Sequence, residues 1–255
     1  MKILAIDTSG EQGSAAIIGA KNADTPYITI GEILFNARTG EKFWTHSEAL
    51  MPGVEKLFEL TRLEPSDMDY IAYANGPGSF TGLRIGASSA IAMARALEIP
   101  AIAVPTLDAL AYNAVGMGAR SIIVPMLDAR RKQVYTAIYF RDTDGSVKAE
   151  SEFMAIYIEE ILQRLDQILQ NSIIFLGDGA EANEKIIRDK FPTALFAPLN
   201  NSRLRAASVG MCAVEKIRAA GESSDEISGK ISQNMIYIRA PQAVREAATR
   251  EATTK

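Results

Sequence analysis

Apolar residues in the first 115 positions follow two patterns that distinguish strands from helices. Short apolar runs bounded by turn residues predict five strands, at 3–7, 14–18, 27–34, 69–74 and 101–104. Apolar residues three and four positions apart predict three helices, at 47–61, 81–97 and 106–115. The first strand ends in an acid, Asp7, and the second strand is its expected hairpin partner.

The same order begins again after the glycines at 116 and 118. Strands are predicted at 121–128, 133–140 and 172–176, and helices at 156–169, 181–190 and 205–220. The first of these strands also ends in an acid, Asp128, before a hairpin. We therefore predict an α/β fold of two duplicated βββαβα halves, with mixed sheets flanked by helices.

The predicted halves span residues 1–115 and 116–240, and the polar segment 241–255 is an expected flexible tail. The last helix, 205–220, is a candidate for packing back on the first half.

The composition limits the functions that are open to the chain. A length of 255 residues, 47% hydrophobic residues and a net charge of −4 indicate a globular protein without a broad basic field for nucleic acid. We find no signal-peptide pattern and no run of about 18 apolar residues, so we expect a cytoplasmic protein that does not enter a membrane. The single histidine, His46, excludes a zinc site of paired histidines within one chain, and the Gly-x-Ser-x-Gly nucleophile motif is absent.

Polar and glycine residues at strand ends form a candidate nucleotide cleft. A carboxylate and hydroxyls after the first strand could bind a metal–phosphate group, although an Asx or Ser/Thr turn would satisfy the same side chains. The glycine-rich run at 75–86 could hold an anion on its backbone N–H groups. It lacks the lysine of a Walker loop and the glycine intervals of a dinucleotide fingerprint. The candidate cleft residues are Asp7, Thr8, Ser9, Gly76, Gly78 and Asp128. The run Gly177-Asp178-Gly179 is interpreted as a tight turn, with only a weak indication of nucleotide contact.

The predicted helix at 81–97 carries a stripe of small residues, Gly82, Gly86, Ala90 and Ala94, spaced by four. An interior glycine costs a helix about 0.8–1 kcal/mol relative to alanine, so close packing is the expected compensation. The residues alone leave two packing partners open for the stripe, the chain's own sheet and a second chain.

Two further groups each have a structural and a functional interpretation. His46 is expected to pack or to cap the helix at 47–61, although its aromatic neighbours Phe43 and Trp44 also suit an interface anchor. The cations Arg130, Arg131 and Lys132 form either a solvated turn or a contact to phosphate, RNA or an acidic partner.

Six segments together resemble a bacterial family, TsaB, also called YeaZ. They lie at 6–9, 46–50, 76–86, 104–110, 128–131 and 236–239. The resemblance implies the actin/Hsp70/sugar-kinase fold of two RNase H-like halves. It also implies a non-catalytic scaffold and activator subunit in making threonylcarbamoyladenosine at position 37 of ANN-decoding tRNAs.

The resemblance further implies the partners. The catalytic subunit TsaD is expected to dimerise with this chain, TsaE is a small ATPase that joins them, and another enzyme supplies threonylcarbamoyl-adenylate. The chain reaches tRNA through this complex, and alone it is expected to form a homodimer. The helices at 47–61 and 81–97 are the implied interface, which places the small stripe at a seam between chains. The implied interface residues are His46, Leu50, Val54, Leu57, Gly82, Gly86, Ala90 and Ala94.

The resemblance also indicates where cofactors belong. The catalytic relative carries two metal-binding histidines separated by three residues, and the matching positions here are Thr106 and Leu110. Threonine is a poor ligand for such a site and leucine cannot be one. We therefore expect no cofactor on this chain, a vestigial cleft at Asp7, and ATP and a metal ion on the partner subunits.

Two alternatives stay open. One is a stand-alone ATP-dependent enzyme that uses Asp7 and Asp128 across the cleft. The other is direct RNA binding through Arg130, Arg131 and Lys132.

Overall fold

The computed structural model describes residues 1–20, 26–36, 45–118, 120–143, 145–168, 172–220 and 234–238. Phe43, Trp44, Arg239 and the predicted tail at 241–255 lie outside the described residues.

The first half is built on a five-stranded sheet in the order β3-β2-β1-β4-β5. Strand β1 (Lys2–Asp7) pairs antiparallel with β2 (Gln12–Gly19) and parallel with β4 (Tyr70–Ala74). The edges are β3 (Ile28–Asn36) and β5 (Ala101–Val104). Strand β4 and nearly all of β1 are buried, as expected for central strands covered by helices on both faces.

The first-half helices begin at identifiable caps. Helix α1 (His46–Thr61) starts with a capping box, in which the Glu48 carboxylate accepts the Thr45 N–H at 2.8 Å. Helix α2 (Phe80–Ala96) starts at Ser79, whose hydroxyl accepts the Gly82 N–H at 3.3 Å. Both helices pack on one face of the sheet, and α3 (Thr106–Tyr112) follows β5 and packs with the apolar core on the other face.

The second half has a sheet in the order β10-β7-β6-β11-β12, in which β8 also pairs with β6 and β9 pairs with β8. Its strands are β6 (Ser121–Asp128), β7 (Gln133–Thr136), β8 (Tyr139–Arg141), β9 (Val147–Ala149), β10 (Met154–Tyr157), β11 (Ser172–Leu176) and β12 (Leu195–Phe196). Its helices are α4 (Ile158–Asp166), α5 (Asp178–Ala182), α6 (Glu184–Lys190), α7 (Leu199–Ser202) and α8 (Ala206–Ala220).

The predicted hairpin strand at 133–140 is divided into β7 and β8. The two strands pair with different parts of β6, and the interruption lies opposite Pro125, which has no N–H to donate to the ladder. The Pro125 carbonyl instead accepts the Thr136 hydroxyl at 2.8 Å. The Ile138 N–H turns to the hydroxyl of Ser151 at 2.9 Å, so the chain leaves the hairpin at this point.

Two predicted helices of the second half have different limits. The helix predicted at 156–169 begins only at Ile158, because the preceding residues pair with β7 as β10. The helix predicted at 181–190 is two helices that meet at Asn183, whose amide donates to the Gly179 carbonyl at 2.8 Å.

Helix α8 lies against the first sheet. A side chain at Gly210 would collide with Ile18 of β2, so the glycine permits the close approach. The Ala206 N–H donates to the Ser14 hydroxyl at 2.8 Å, and Arg205 forms an ion pair with the buried Glu32 of β3.

Both sheets begin with a strand that pairs antiparallel with its hairpin mate and parallel with a later strand. This repeat confirms the predicted α/β fold with mixed sheets flanked by helices. Within the described ranges, no helix is both long enough and apolar enough to cross a bilayer.

Candidate functional site

Asp7 is a buried carboxylate at the end of β1, with 1% of its surface exposed. Its Oδ1 accepts the Ser9 N–H at 2.9 Å, which forms an Asx turn. Its Oδ2 has no hydrogen-bond partner among the described residues. Burial raises the pKa of Asp7 to about 6, although hydrogen bonding from Ser9 opposes the rise.

A cavity of about 150 Å³ lies beside Asp7, between the two halves of the chain. Asp178, Ser202 and Arg203 line its other side. Burial raises the pKa of Asp178, and its Oδ1 accepts the Asp128 N–H at 3.0 Å.

Asp128 does not line this cavity. Its carboxylate is exposed and accepts the Arg130 N–H at 2.8 Å, so it stabilises the turn that follows β6. Asp178 lines the cavity with Asp7 instead, and it comes from the run that the sequence interpreted as a tight turn with a weak indication of nucleotide contact.

The glycine-rich loop packs tightly against the chain's own backbone. A Cβ at Gly78 would lie 2.6 Å from the Ser9 carbonyl oxygen, and one at Gly82 would collide with the Thr8 carbonyl. Gly76, at a φ of +111°, would place a Cβ 2.5 Å from the carbonyl oxygen of Ile236. The Ser79 N–H donates to the Ser9 carbonyl at 2.7 Å. Gly78 and Gly82 therefore serve close packing of the loop on the end of β1, and Gly76 serves close packing on the backbone at Ile236.

The stripe of small residues on α2 is buried against the chain's own sheet. Ala90 is 0% and Ala94 is 3% exposed, and Gly86 lies against Thr8 and Ile6 of the strand end. The expectation of a seam between chains is therefore corrected: the stripe packs on the first half's own β-sheet.

The residues expected on α1 are also below the surface. Leu50, Val54 and Leu57 are 1%, 2% and 1% exposed and belong to the apolar core under the helix pair. His46 is half-buried beside Phe35, with ring centroids 6.3 Å apart. Burial lowers the pKa of His46, which fits a packed residue.

The outer surface of α1 and α2 instead forms a groove in two adjoining parts that share Met51. The first part, about 530 Å³, lies between the N-terminal turns and is lined by Met51, Phe80, Arg84 and Ile85 among others. The second part, about 820 Å³, lies at the C-terminal turns over Phe58, Leu63 and Met93. We call these two parts together the helix-pair groove. An apolar floor with a charged rim is typical of a surface that docks another protein.

Sequence reasoning placed Leu50 and Val54 in the interface, and both line this groove. It did not name the other apolar residues of the groove, among them Met51, Phe80, Ile85 and Met93. Ile85 and Met93 are partly buried beside the small stripe, and they pack against the same apolar cluster as Ala90 and Ala94. The available signal was the apolar residues beside the stripe, which make the apolar face of α2 wider than the stripe alone.

The basic turn lies on the surface at the end of β6. Arg130, Arg131 and Lys132 are exposed and have φ values of 62°, 55° and 62°. They do not line the cavity beside Asp7.

Comparisons with known proteins identify the family. Residues 44–245 match the family model described as "TsaD: tRNA N6-adenosine threonylcarbamoyltransferase". A Bacillus subtilis protein, "tRNA threonylcarbamoyladenosine biosynthesis protein TsaB", is 33% identical over 196 residues, 77% of this chain and 79% of the relative. The chain belongs to the TsaB family, within the wider group that the TsaD model describes.

Further comparisons also match this chain to TsaB proteins. The Escherichia coli protein of the same name is 33% identical over 184 residues, 71% of this chain and 73% of the relative. The structure of YeaZ from Pseudomonas aeruginosa has a TM-score of 0.68 at 24% identity, over 92% of this chain and 99% of that one. The structural likeness shows that the fold is shared.

The two residues that the resemblance aligns with the metal-binding histidines of the catalytic relative are buried in this TsaB-family chain. Thr106 and Leu110 are both 0% exposed on α3, and Leu110 packs in the apolar core. In the ranges that the structure covers, no three His, Cys, Asp or Glu side chains come together as a possible metal site.

Proposed function

We propose that this chain is a non-catalytic scaffold and activator subunit in the formation of N6-threonylcarbamoyladenosine at position 37 of ANN-decoding tRNAs. The proposal is supported by the TsaB relatives, whose printed names place them in this biosynthesis. The observation that carries it is the helix-pair groove, which is an apolar surface suited to docking another protein. The chain also has Thr106 and Leu110 where the catalytic relative has its metal-binding histidines.

In this proposal TsaD docks on the helix-pair groove and supplies the catalytic centre. Met51 lies where the two parts of the groove meet and is 44% exposed, so it is the natural anchor. A second copy of the chain uses the same groove when TsaD is absent, so the homodimer and the mixed complex compete. TsaE and tRNA join through the complex, and ATP and the metal ion belong to the partner subunits.

Light scattering during size-exclusion chromatography tests this docking. The chain alone is expected to elute as a homodimer and to convert to a mixed complex when TsaD from the same organism is added. Met51→Glu is expected to abolish both assemblies, because it places a charge in an apolar interface. Ile186→Glu is the matched control, since Ile186 is 42% exposed on α6 in the other half. Wild-type chain that forms no complex with TsaD would overturn the proposal.

A second candidate function, a stand-alone ATP-dependent enzyme, is favoured by the unpartnered Oδ2 of Asp7 at the cavity. The cavity of about 150 Å³ is smaller than the roughly 300–1,000 Å³ of ordinary ligand pockets, and the glycine loop packs on its own backbone. Calorimetric titration with ATP discriminates the two functions: binding that is lost in Asp7→Asn would support the enzyme.

A further inference from the structure

A short segment near the end of the described chain crosses the glycine loop. We call residues 234–238 the C-terminal segment. Asn75 binds this segment at two points. Its side-chain amide donates to the Asn234 backbone carbonyl, and its backbone carbonyl accepts the Ile236 N–H, each at 2.8 Å. Met235 packs against the apolar clusters on both faces of the first sheet. The segment is therefore fixed at the start of α2, although about 150 residues separate the two along the chain.

Tyr237 reaches from this segment to the rim of the helix-pair groove. Its ring lies 5.3 Å from the ring of Phe80, and its hydroxyl accepts the Arg84 Nε–H at 3.3 Å. The Arg84 guanidinium lies 3.9 Å above the Phe80 ring. Phe80 and Arg84 both line the N-terminal part of the groove. Two aromatic rings from distant parts of the chain thus orient one cation at the groove.

Arg84 is poised to bind an anion. Within the described residues, Arg84 donates a side-chain hydrogen bond only through its Nε. Its two terminal nitrogens are therefore available to donate to a bound partner. The residues that line this part of the groove include no Asp or Glu. A guanidinium that is stacked on a ring loses little freedom on forming a paired hydrogen bond, and its planar edge matches a carboxylate.

The groove is also polarised from end to end. Its C-terminal part is rimmed by Glu55, Glu59 and Glu64, with Arg62 as the one cation among the residues that line it. Glu59 is paired with Lys56 at 2.8 Å, so Glu55 and Glu64 supply the remaining negative charge. A docked protein therefore fits best with a carboxylate at the Arg84 end and cations at the opposite end.

We propose that the C-terminal segment is part of the docking surface, where Tyr237 positions Arg84 to bind a carboxylate of the docked protein. This inference rests on the proposed function, because it takes the helix-pair groove as the docking site. Arg84 contacts the partner in this arrangement, and Tyr237 acts through Arg84 as a positioning residue.

The test measures the Kd of full-length variants for TsaD from the same organism. Arg84→Gln is expected to weaken binding about tenfold, because it removes a charge-assisted pair. Tyr237→Phe keeps the ring and removes the hydroxyl, and we expect a loss of about threefold. Tyr157→Phe is the control, because Tyr157 is 47% exposed on β10, away from the groove.

A double-mutant cycle separates positioning from a merely structural effect. Tyr237→Phe is expected to cost nothing further in the Arg84→Gln background, because its effect passes through Arg84. Arg84→Gln should also reduce the dependence of Kd on salt, and Tyr237→Phe should leave the midpoint of thermal unfolding unchanged.

The outcomes separate this inference from the proposed function. If wild-type chain binds TsaD and Arg84→Gln binds equally well, the inference is overturned and the proposed function stands. Additive losses in the double variant would overturn the positioning role of Tyr237. If wild-type chain does not bind TsaD, both are overturned.

Discussion

The hydroxyl of Thr8 occupies the space that a side chain at Gly86 would need. The same hydroxyl donates to the Gly82 carbonyl at 2.7 Å, so the end of β1 is fixed against the first and second turns of α2. The glycines of α2 thus serve the interior of the first half, and the surface available to a partner lies on the opposite side of the helix.

Replacing Gly86 is therefore expected to destabilise the chain itself. Gly86→Val should lower the free energy of unfolding by about 2–3 kcal/mol, because the new side chain collides with Thr8 in a packed interior. The resemblance had instead placed Gly86 at a seam between chains. Urea unfolding of Gly86→Val measures the change, and Ala92→Val, at an exposed position of the same helix, is the control. Equal stability of the two variants would contradict this packing.

Asp7 is expected to make stability depend on pH in an unusual direction. Its folded-state pKa of about 6 lies above the ordinary 3.8, so the folded chain binds the proton more tightly than the unfolded chain. The contribution of Asp7 is therefore fully favourable below about pH 4, falls between about pH 4 and 6, and is lost above that range.

The Asp7→Asn variant isolates this contribution. It keeps an oxygen for the Ser9 N–H and removes the charge, so at pH 7 it should be more stable than wild type by up to about 3 kcal/mol. The difference should vanish near pH 4. Urea unfolding across this pH range checks both statements, with the exposed Asp189→Asn as control. A wild-type advantage at pH 7 would mean that the buried charge of Asp7 has a stabilising partner.

The hydrogen bond between Tyr139 and Asp108 is expected to stabilise the contact between the two halves. The Tyr139 hydroxyl donates to Asp108 Oδ1 at 2.7 Å, and burial raises the pKa of Asp108. Tyr139→Phe leaves the buried carboxyl without this donor, so it should lower the free energy of unfolding by about 2 kcal/mol. Chemical unfolding of Tyr139→Phe beside the exposed Tyr157→Phe measures it, and equal midpoints for the two variants would refute the assignment.

The sequence was sufficient for the five strands of the first sheet and for β6 and β11 of the second, because apolar runs such as the one ending at Asp7 are short, buried and bounded by turns. It did not predict the short strands β9, β10 and β12. It could not locate the break opposite Pro125, because the alternation of residue types continues through β7 and β8 while the hydrogen bonds do not. Hydrophobic periodicity can be recognised within one segment, whereas strand pairing depends on a second segment elsewhere in the chain.

The site shows the same limit. A spacing of four predicts that Gly86 and Ala90 share a face, and this is correct, but spacing does not say what the face meets. The contact of Tyr237 with Arg84 joins residues 153 positions apart, and no local pattern encodes it. The cavity is likewise lined by Asp178 and not by the predicted Asp128, because the Asp128 carboxylate accepts the Arg130 N–H in the turn after β6. Spacing along the sequence does not show this hydrogen bond.

The central claim is that this chain activates TsaD by docking on it without supplying catalytic groups. The most direct measurement is the formation of threonylcarbamoyladenosine on an ANN-decoding tRNA, with TsaD, TsaE, ATP and threonylcarbamoyl-adenylate present. We expect no product without this chain, full product with wild type, Ile186→Glu or Asp7→Asn, and a loss of at least about tenfold with Met51→Glu. Product formation without the chain, or activity that survives Met51→Glu and is lost in Asp7→Asn, would contradict the account.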